Sequence, residues 1–186
     1  MRYSGHGSPL RRAGRGQIVD AVSIRERPAE IEDRAVPGHW EGDLVVGTNN
    51  TCIATLVERT SRFVMLTKVE NKKTETVVPA LIKTIRKLPR ALRKSVTWDR
   101  GLELAEHKKL AIATHCKVYF CDPHSPWQRG SNENTNGLLR QYFPKRMDLG
   151  TVTPERLWEV AQQLNERPRE TLGWKTPAYK LAEVFR

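Results

Sequence analysis

Residues 43–69 are DLVVGTNNTCIATLVERTSRFVMLTKV. This stretch contains three apolar or β-branched runs, at residues 43–48, 51–58 and 62–69. The turn-prone pair Asn49 and Asn50 separates the first two runs. Short connections between successive strands are typical of an antiparallel meander. The stretch therefore predicts three strands that pair in chain order.

Helical and strand-like patterns alternate after this meander. Apolar residues at helical spacing predict a helix over residues 74–88, and Pro79 suggests that its true start is somewhat later. The further elements are predicted, in chain order, as a strand at 95–99, a helix at 104–114, a strand at 117–121, a helix at 131–142 and a helix that begins at Pro154 after the cap residue Thr153. Because a helix precedes the strand at 95–99, we expect that strand to run parallel to the first. The order predicts an α/β fold, a mixed five-stranded sheet flanked by helices.

The charge of the chain is strongly positive. Its 186 residues have a formal net charge of +11 at pH 7. The excess is concentrated in residues 72–94, where eight basic residues stand against one acid, Glu75. Such an excess favours a polyanionic partner, because each phosphate that the protein neutralises releases counterions. The alternative is a solvated basic helix face that only increases solubility.

The number of cysteines and the lengths of the apolar runs indicate the cellular compartment of the protein. Three cysteines, an odd number, argue against a disulfide framework and are compatible with a reducing cytosol. The first residues lack the apolar core of a signal peptide, and no apolar run approaches the length that crosses a bilayer. We therefore expect a cytoplasmic protein with no membrane partner.

Three acidic residues stand where an ordered element would expose a carboxylate. Asp43 lies near the start of the first strand, Asp99 ends the fourth, and Glu133 follows Gly130 at a predicted helix start. Three converging carboxylates repel one another unless cations lie between them, and magnesium binds through a few carboxylates plus phosphate oxygens. The pattern indicates metal-assisted phosphoryl chemistry, provided that the strand register brings Asp43 and Asp99 together.

Three motifs surround these acids: GHWEGD at residues 38–43, TWDRG at residues 97–101 and SPWQRGSNENTNGLLR at residues 125–140. Together they resemble the catalytic core of the IS-thirty family of bacterial insertion-sequence transposases, in the retroviral-integrase superfamily. The resemblance extends from about residue 16 to the C-terminus. It implies a ribonuclease H-like fold with an integrase-like catalytic core at residues 37–150. Residues 1–36 are then an extended arm or linker, and residues 151–186 a C-terminal helix and tail that pack on the core.

The resemblance also implies the chemistry. It assigns Asp43, Asp99 and Glu133 to a catalytic triad that holds two Mg²⁺ or Mn²⁺ ions. Two such ions activate an attacking oxygen and stabilise the leaving one. Water would release a 3′-hydroxyl at the element's end, and that hydroxyl would then attack target DNA. The implied partners are DNA, as terminal repeats and as target, and further copies of the chain in a homo-oligomer at the bacterial nucleoid.

Four polar residues are predicted to contact DNA: Arg129, Asn136, Arg140 and Lys145. Arg140 lies seven positions after Glu133, two helical turns on and hence on the same face. The resemblance favours a DNA contact there, whereas the alternative is an ordinary surface arginine. Asn136 could hold phosphate or cap the helix.

Several other residues near the motifs have simpler interpretations. We expect Glu41 to be a solvated residue at a strand end, although it shares a strand face with Asp43. Further expectations are that Trp40 and Trp98 frame the site, that Trp127 stacks on a splayed base, that Trp158 belongs to the core, and that Glu103 and Glu106 are first-turn helix acids. Zinc binding by His115, Cys116, Cys121 and His124 is disfavoured, because a strand separates the two cysteines and buried cysteines are the default.

Members of this family usually carry an N-terminal helix-turn-helix region that recognises the terminal repeats. Residues 1–36 are too short and too polar for such a region, which predicts a catalytic domain alone. The alternative is a truncated, non-catalytic module that binds DNA or regulates a transposase. A host ribonuclease H is disfavoured, because the Asn-rich helix that carries Glu133 matches transposases better.

Overall fold

The computed structural model describes residues 18–31 and 34–185. They form one five-stranded sheet in the order β3-β2-β1-β4-β5. The strands are β1 (His39–Val46), β2 (Cys52–Glu58), β3 (Val64–Val69), β4 (Ser95–Trp98) and β5 (Lys117–Phe120). The α-helices are α1 (Thr74–Ile85), α2 (His107–Thr114), α3 (Gly130–Leu139), α4 (Pro154–Glu166) and α5 (Pro177–Ala182). The predicted mixed five-stranded sheet with flanking helices is confirmed.

The strand directions also follow the prediction. β1 pairs with β2 and β2 with β3 in antiparallel fashion, so residues 39–69 form the expected meander. β4 runs parallel to β1, and β5 runs parallel to β4. Asn49 and Asn50 adopt left-handed φ angles of 55° and 59° in the first turn, a conformation that asparagine tolerates better than most residues. The turn signal in the sequence thus has a direct structural cause.

The buried side chains of strand β2 pack against helices on both faces of the sheet. All of its residues are buried, and its side chains alternate between the two faces. Cys52, Ala54 and Leu56 pack in a core that includes apolar residues of α1. Ile53 and Val57 pack on the opposite face, against apolar residues of α3 and α4. Helices therefore cover both faces of the sheet.

Two expectations about the helices are wrong. Helix α1 begins at Thr74 and contains Pro79. One missing N–H is tolerated there because Val77, Val78 and Leu81 bury the turns on both sides of the proline. Trp158 of α4 is 65% exposed rather than buried; the buried stripe of that helix is Leu157, Val160 and Leu164. None of the described helices is long and apolar enough to cross a membrane.

Part of the predicted arm lies along the edge of the sheet. The backbone N–H of Phe120 in β5 donates to the carbonyl of Val22 at 2.8 Å, and Ser23 forms a parallel bridge with Phe120. Ile24 and Ile31 are buried. Residues 18–31 therefore contact the core, whereas residues 1–17 and 32–33 lie outside the described part of the chain.

His39 opens β1 at its junction with β4. It is buried, and its Nδ1 lies 2.7 Å from the hydroxyl oxygen of Ser95. Burial, together with the positive charges of Lys94, Arg59 and Arg27, lowers the pKa of His39 to about 4. The ring is consequently neutral at pH 7, and protonating it would oppose folding.

Candidate active site

The register of β1 and β4 places two of the predicted acids side by side. His39 pairs with Ser95 and Glu41 with Thr97 in the parallel ladder, an offset of 56 residues. The same offset relates Asp43 to Asp99, since 99 − 43 is also 56. Neighbouring strands lie about 4.8 Å apart. The Arg129 guanidinium lies 3.3 Å from the carboxylate of Asp43 and 3.5 Å from that of Asp99, so the two acids lie close together just beyond the paired residues.

Gly42 and Trp98 explain how the two strands pack at this point. The Trp98 ring is fully buried, and a Cβ atom on Gly42 would lie 2.2 Å from its Cζ3 atom. Gly42 is thus required by the close approach of the ring. Trp98 and Trp40 both belong to the α1 side of the core, so the structure places them behind the strands rather than around the carboxylates.

One guanidinium bridges the aspartate pair. Arg129, at the end of a 3₁₀ turn formed by Pro126–Arg129, places NH1 3.3 Å from Asp43 Oδ1 and NH2 3.5 Å from Asp99 Oδ2. NH1 also donates to the carbonyl of Gly42 at 2.9 Å. The arginine side chain is 12% exposed. Arg129, which the sequence predicts to contact DNA, therefore contacts Asp43 and Asp99 in this structure.

Helix α3 packs beside Asp43 through polar contacts. Asn136 Nδ2 donates to Asp43 Oδ2 at 2.9 Å, and the backbone N–H of Leu44 donates to Asp43 Oδ1 at 2.9 Å. Thr55 stands opposite Asp43 on β2, and its hydroxyl donates to Asn132 Oδ1 at 3.0 Å. The first turns of α3 are therefore held by side-chain amides.

Glu41 anchors the same helix, and the expectation that it is solvated is wrong. It is fully buried, because alternation along β1 directs it to the face that α3 covers. Its Oε2 accepts the backbone N–H of Asn132 at 2.9 Å, and its carbonyl accepts Asn132 Nδ2 at 2.8 Å. Arg59 lies 3.4 Å from the other carboxylate oxygen. Glu41 thus ties the N-terminus of α3 to β1.

Burial raises the pKa of two acids at this site. Burial raises the pKa of the Asp43 carboxyl, the Arg129 charge lowers it, and the neighbouring Asp99 raises it again. The pKa of Glu103 is also raised, mainly by burial and in part by the charges of Asp99 and Asp43. Glu103 accepts a hydrogen bond from Trp98 Nε1 at 3.1 Å. It is a further acid near the pair, four residues after Asp99, which the sequence analysis treated as an ordinary helix acid.

Glu133 does not join the pair in this structure. It is exposed in the first turn of α3. Within residues 18–31 and 34–185, no three His, Cys, Asp or Glu side chains are grouped closely enough to hold a metal ion. Glu133 nevertheless lies three residues from Asn136, and such a spacing places two residues on one helix face.

The remaining predicted DNA contacts lie beyond this helix. Arg140 follows α3 directly, and its guanidinium donates to the carbonyls of Val46 at 3.2 Å and Phe143 at 3.4 Å. Lys145 is exposed in the following turn. A structural role for Arg140 at the end of β1 thus accompanies the predicted contact with DNA.

A cavity of about 360 Å³ opens beside Asp99. Its walls come from the loops that follow β4 and β5 and include Arg100, Asp122 and Arg129. Trp127, in the same loop, is 71% exposed. Asp99 is therefore reached from the side of the proline-rich loop.

Comparisons with known proteins identify the family of the chain. Residues 33–126 match the family described as integrase core domain. The chain is 54% identical over 175 residues to the transposase InsI for insertion sequence element IS30A of Escherichia coli K12, covering 92% of this chain and 46% of that protein. It is 50% identical over 172 residues to the transposase for insertion sequence element IS1086 of Cupriavidus metallidurans, covering 92% and 51%. The chain thus spans about half the length of these relatives.

The fold has a counterpart among solved structures. A chain in the cryo-EM structure of the simian T-cell lymphotropic virus intasome, in complex with PP2A regulatory subunit B56 gamma, matches with a TM-score of 0.62. That match has 22% identity and covers 78% of this chain and 54% of that one. The predicted ribonuclease H-like fold is confirmed. The chain belongs to the integrase core domain family, and the relatives that it resembles at 50% identity or more are transposases of insertion sequence elements.

Proposed function

We propose that this chain is the catalytic domain of a DNA transposase that cleaves the ends of an insertion sequence and joins them to target DNA. The names of the curated relatives support the transposase class. The observation that carries the reaction type is the pair formed by Asp43, in β1, and Asp99, directly after β4, because a single guanidinium contacts both carboxylates.

The carboxylate pair fits a divalent cation in two respects. Its oxygens are hard ligands of the kind that Mg²⁺ and Mn²⁺ prefer. The two carboxylates also lie close enough for a single guanidinium to contact both. Asp43, Asp99 and Glu133 would together hold two ions. When bound, such ions polarise phosphate oxygens and lower the pKa of an attacking water.

The neighbours of the pair orient it for this task. The N–H of Leu44 and the amide of Asn136 donate to the two oxygens of Asp43. The N–H of Gly101 donates to Asp99 Oδ1 at 2.9 Å. Carboxylates held in this way are pre-oriented, and pre-orientation reduces the cost of reaching the reactive arrangement.

The proposed partners are DNA, as the terminal repeats and as the target, and further copies of this chain. The net charge of +11 supports a polyanionic partner. Arg129, Asn136, Arg140 and Lys145 are the proposed contacts with DNA. Phosphate contacts from such residues fix the position of a duplex without reading its sequence.

The second candidate is a non-catalytic module that binds DNA or regulates a transposase. Two observations favour it: Arg129 occupies the space between the acids, and Glu133 lies outside their group. A protein that stayed in this arrangement would bind DNA through its basic surface and leave the strands intact.

A cleavage and joining assay distinguishes the two. The substrate is DNA that carries the terminal repeats of the element encoding this chain, incubated with Mg²⁺ or Mn²⁺ or with a chelator. We expect metal-dependent nicking and strand joining that Asp99→Asn abolishes. Asp20→Asn is the matched control, because it removes an exposed carboxylate whose ion-pair partner is Lys108 of α2 rather than Arg129.

Three outcomes separate the hypotheses. Activity that is lost in Asp99→Asn and retained in Asp20→Asn supports the enzyme. Metal-independent binding with intact strands in every protein supports the module. Metal-dependent cleavage that survives in Asp99→Asn would contradict the assignment of this aspartate.

A further inference from the structure

We infer that Arg129 is a competing cation: it occupies the position between Asp43 and Asp99 and must leave before a divalent ion binds there. The inference rests on the proposed function, because it concerns the same carboxylates. It adds a role for an arginine that the sequence analysis treated only as a contact with DNA.

The contacts of Arg129 are those of a built-in counter-ion. Its two terminal nitrogens contact one aspartate each, at 3.3 Å and 3.5 Å, and Nη1 also donates to the Gly42 carbonyl. The side chain is largely buried, and its Nε has no hydrogen-bond partner within the described residues. A buried donor without a partner costs free energy, so this position of the guanidinium is less stable than one in which all of its N–H groups are bonded.

The arrangement leaves little room for a metal on Asp43. Oδ1 accepts from Leu44 and faces Arg129, and Oδ2 accepts from Asn136. A divalent ion needs these lone pairs at roughly 2.1 Å. It would also stand close to a positive guanidinium, and like charges a few ångströms apart repel each other where water screens them poorly. Arginine and metal therefore exclude each other.

Phosphate offers Arg129 an alternative partner. Arginine binds phosphate through two parallel hydrogen bonds, a stronger arrangement than its contacts here. The residue ends a 3₁₀ turn beside the open cavity, and the next residue, Gly130, has nothing within 4 Å of a Cβ position. This segment has space to move. Bound DNA would draw Arg129 away from the acids, so that DNA and metal each strengthen the binding of the other.

Mn²⁺ binding to the DNA-free chain tests the inference, measured by titration calorimetry and by the paramagnetic signal of free Mn²⁺. The proteins are wild type, Arg129→Met, Arg129→Lys and Arg156→Met. Arg156→Met removes the same charge from an exposed pair with Glu159, so it controls for net charge. Arg129→Lys keeps the charge but loses the fork that reaches both acids. Thermal unfolding in EDTA shows whether each variant folds.

We expect Arg129→Met to bind Mn²⁺ at least about tenfold more tightly than wild type, since one competing charge is removed. Arg129→Lys should fall between the two, and Arg156→Met should match wild type. Equal affinity in wild type and in both Arg129 variants overturns the inference. If Asp43→Asn binds Mn²⁺ as wild type does, with or without DNA, the metal site of the proposed function fails instead. The two failures are therefore distinguishable.

Discussion

Asn132→Ala is the substitution that most directly tests how α3 is held over the acids. The first eight residues of α3, GSNENTNG, offer little apolar surface, and Leu139 at its end is its one buried aliphatic side chain among the described residues. The helix therefore depends on buried polar contacts. Asn132 is fully buried and makes the largest share of them, to Glu41 and Thr55.

The structure sets the size of the effect. The substitution removes one bond of 2.8 Å to the Glu41 carbonyl and one of 3.0 Å from the Thr55 hydroxyl. Each buried bond contributes about 1 kcal/mol, and a group left unsatisfied adds to the loss. Alanine is a better helix former than asparagine by about 0.5 kcal/mol, which offsets part of it. We expect the free energy of unfolding to fall by about 2 kcal/mol.

Asn134→Ala is a matched control on the same helix. Asn134 is exposed, so the same substitution removes no buried bond and only improves helix propensity. Its free energy of unfolding should rise by a few tenths of a kcal/mol. The two substitutions, two positions apart, should therefore act with opposite sign.

Urea unfolding, followed by the fluorescence of the tryptophans and by circular dichroism, measures both variants. Hydrogen exchange adds a local readout, because the α3 amides should exchange faster in Asn132→Ala while those of β1 and β2 stay protected. A loss below about 0.5 kcal/mol in Asn132→Ala would refute the argument. So would a loss of equal size in Asn134→Ala, since it would show that the exposed face matters as much as the buried one.

Three further predictions follow from single contacts. Gly42→Ala should lower the free energy of unfolding by about 1–3 kcal/mol through collision with Trp98, whereas Gly137→Ala, which meets nothing within 4 Å, should not lower it; equal effects in a urea titration would contradict the packing. His39 has a pKa of about 4 in the folded protein against an ordinary 6.5. Between pH 4 and pH 6.5 the unfolded state therefore binds a proton on this ring that the folded state does not. Stability should therefore fall by about 3 kcal/mol as the pH drops from 6.5 to 4, and a His39→Gln variant that keeps this dependence in urea titrations across the range would disprove the cause. Arg140→Ala should weaken DNA binding and reduce the salt slope by about one; an unchanged slope in a salt titration would exclude the contact.

The strands and their directions were predictable because they depend on local pattern. The runs in residues 43–69 are separated by a turn whose asparagines adopt left-handed angles, and that turn is visible in the sequence. Helix boundaries were less predictable. Pro79 is tolerated inside α1 and Trp158 faces solvent, because the neighbouring buried residues decide both positions.

The role of Glu41 shows why periodicity alone was insufficient. Alternation placed it on the same strand face as Asp43, and the usual behaviour of glutamate favoured solvent. The structure buries it instead, because the backbone N–H of Asn132, 91 residues away, donates to one carboxylate oxygen and the charge of Arg59 lies 3.4 Å from the other. A buried charge becomes predictable only when its partner is known, and that partner is distant in sequence.

The proximity of Asp43 and Asp99 also depends on residues that are distant in sequence. The offset of 56 residues between β1 and β4 sums the lengths of a meander, a helix and their connections, so no local pattern contains it. The position of Glu133 depends on the rotation of α3, which Asn132 and Asn136 determine through their contacts with β1 and β2. Arg129 and Glu133 are four residues apart, about one helical turn. One short segment thus carries both the cation that neutralises the acids and the proposed third carboxylate, and a rearrangement at the start of α3 that releases the first would be the natural way to admit the second.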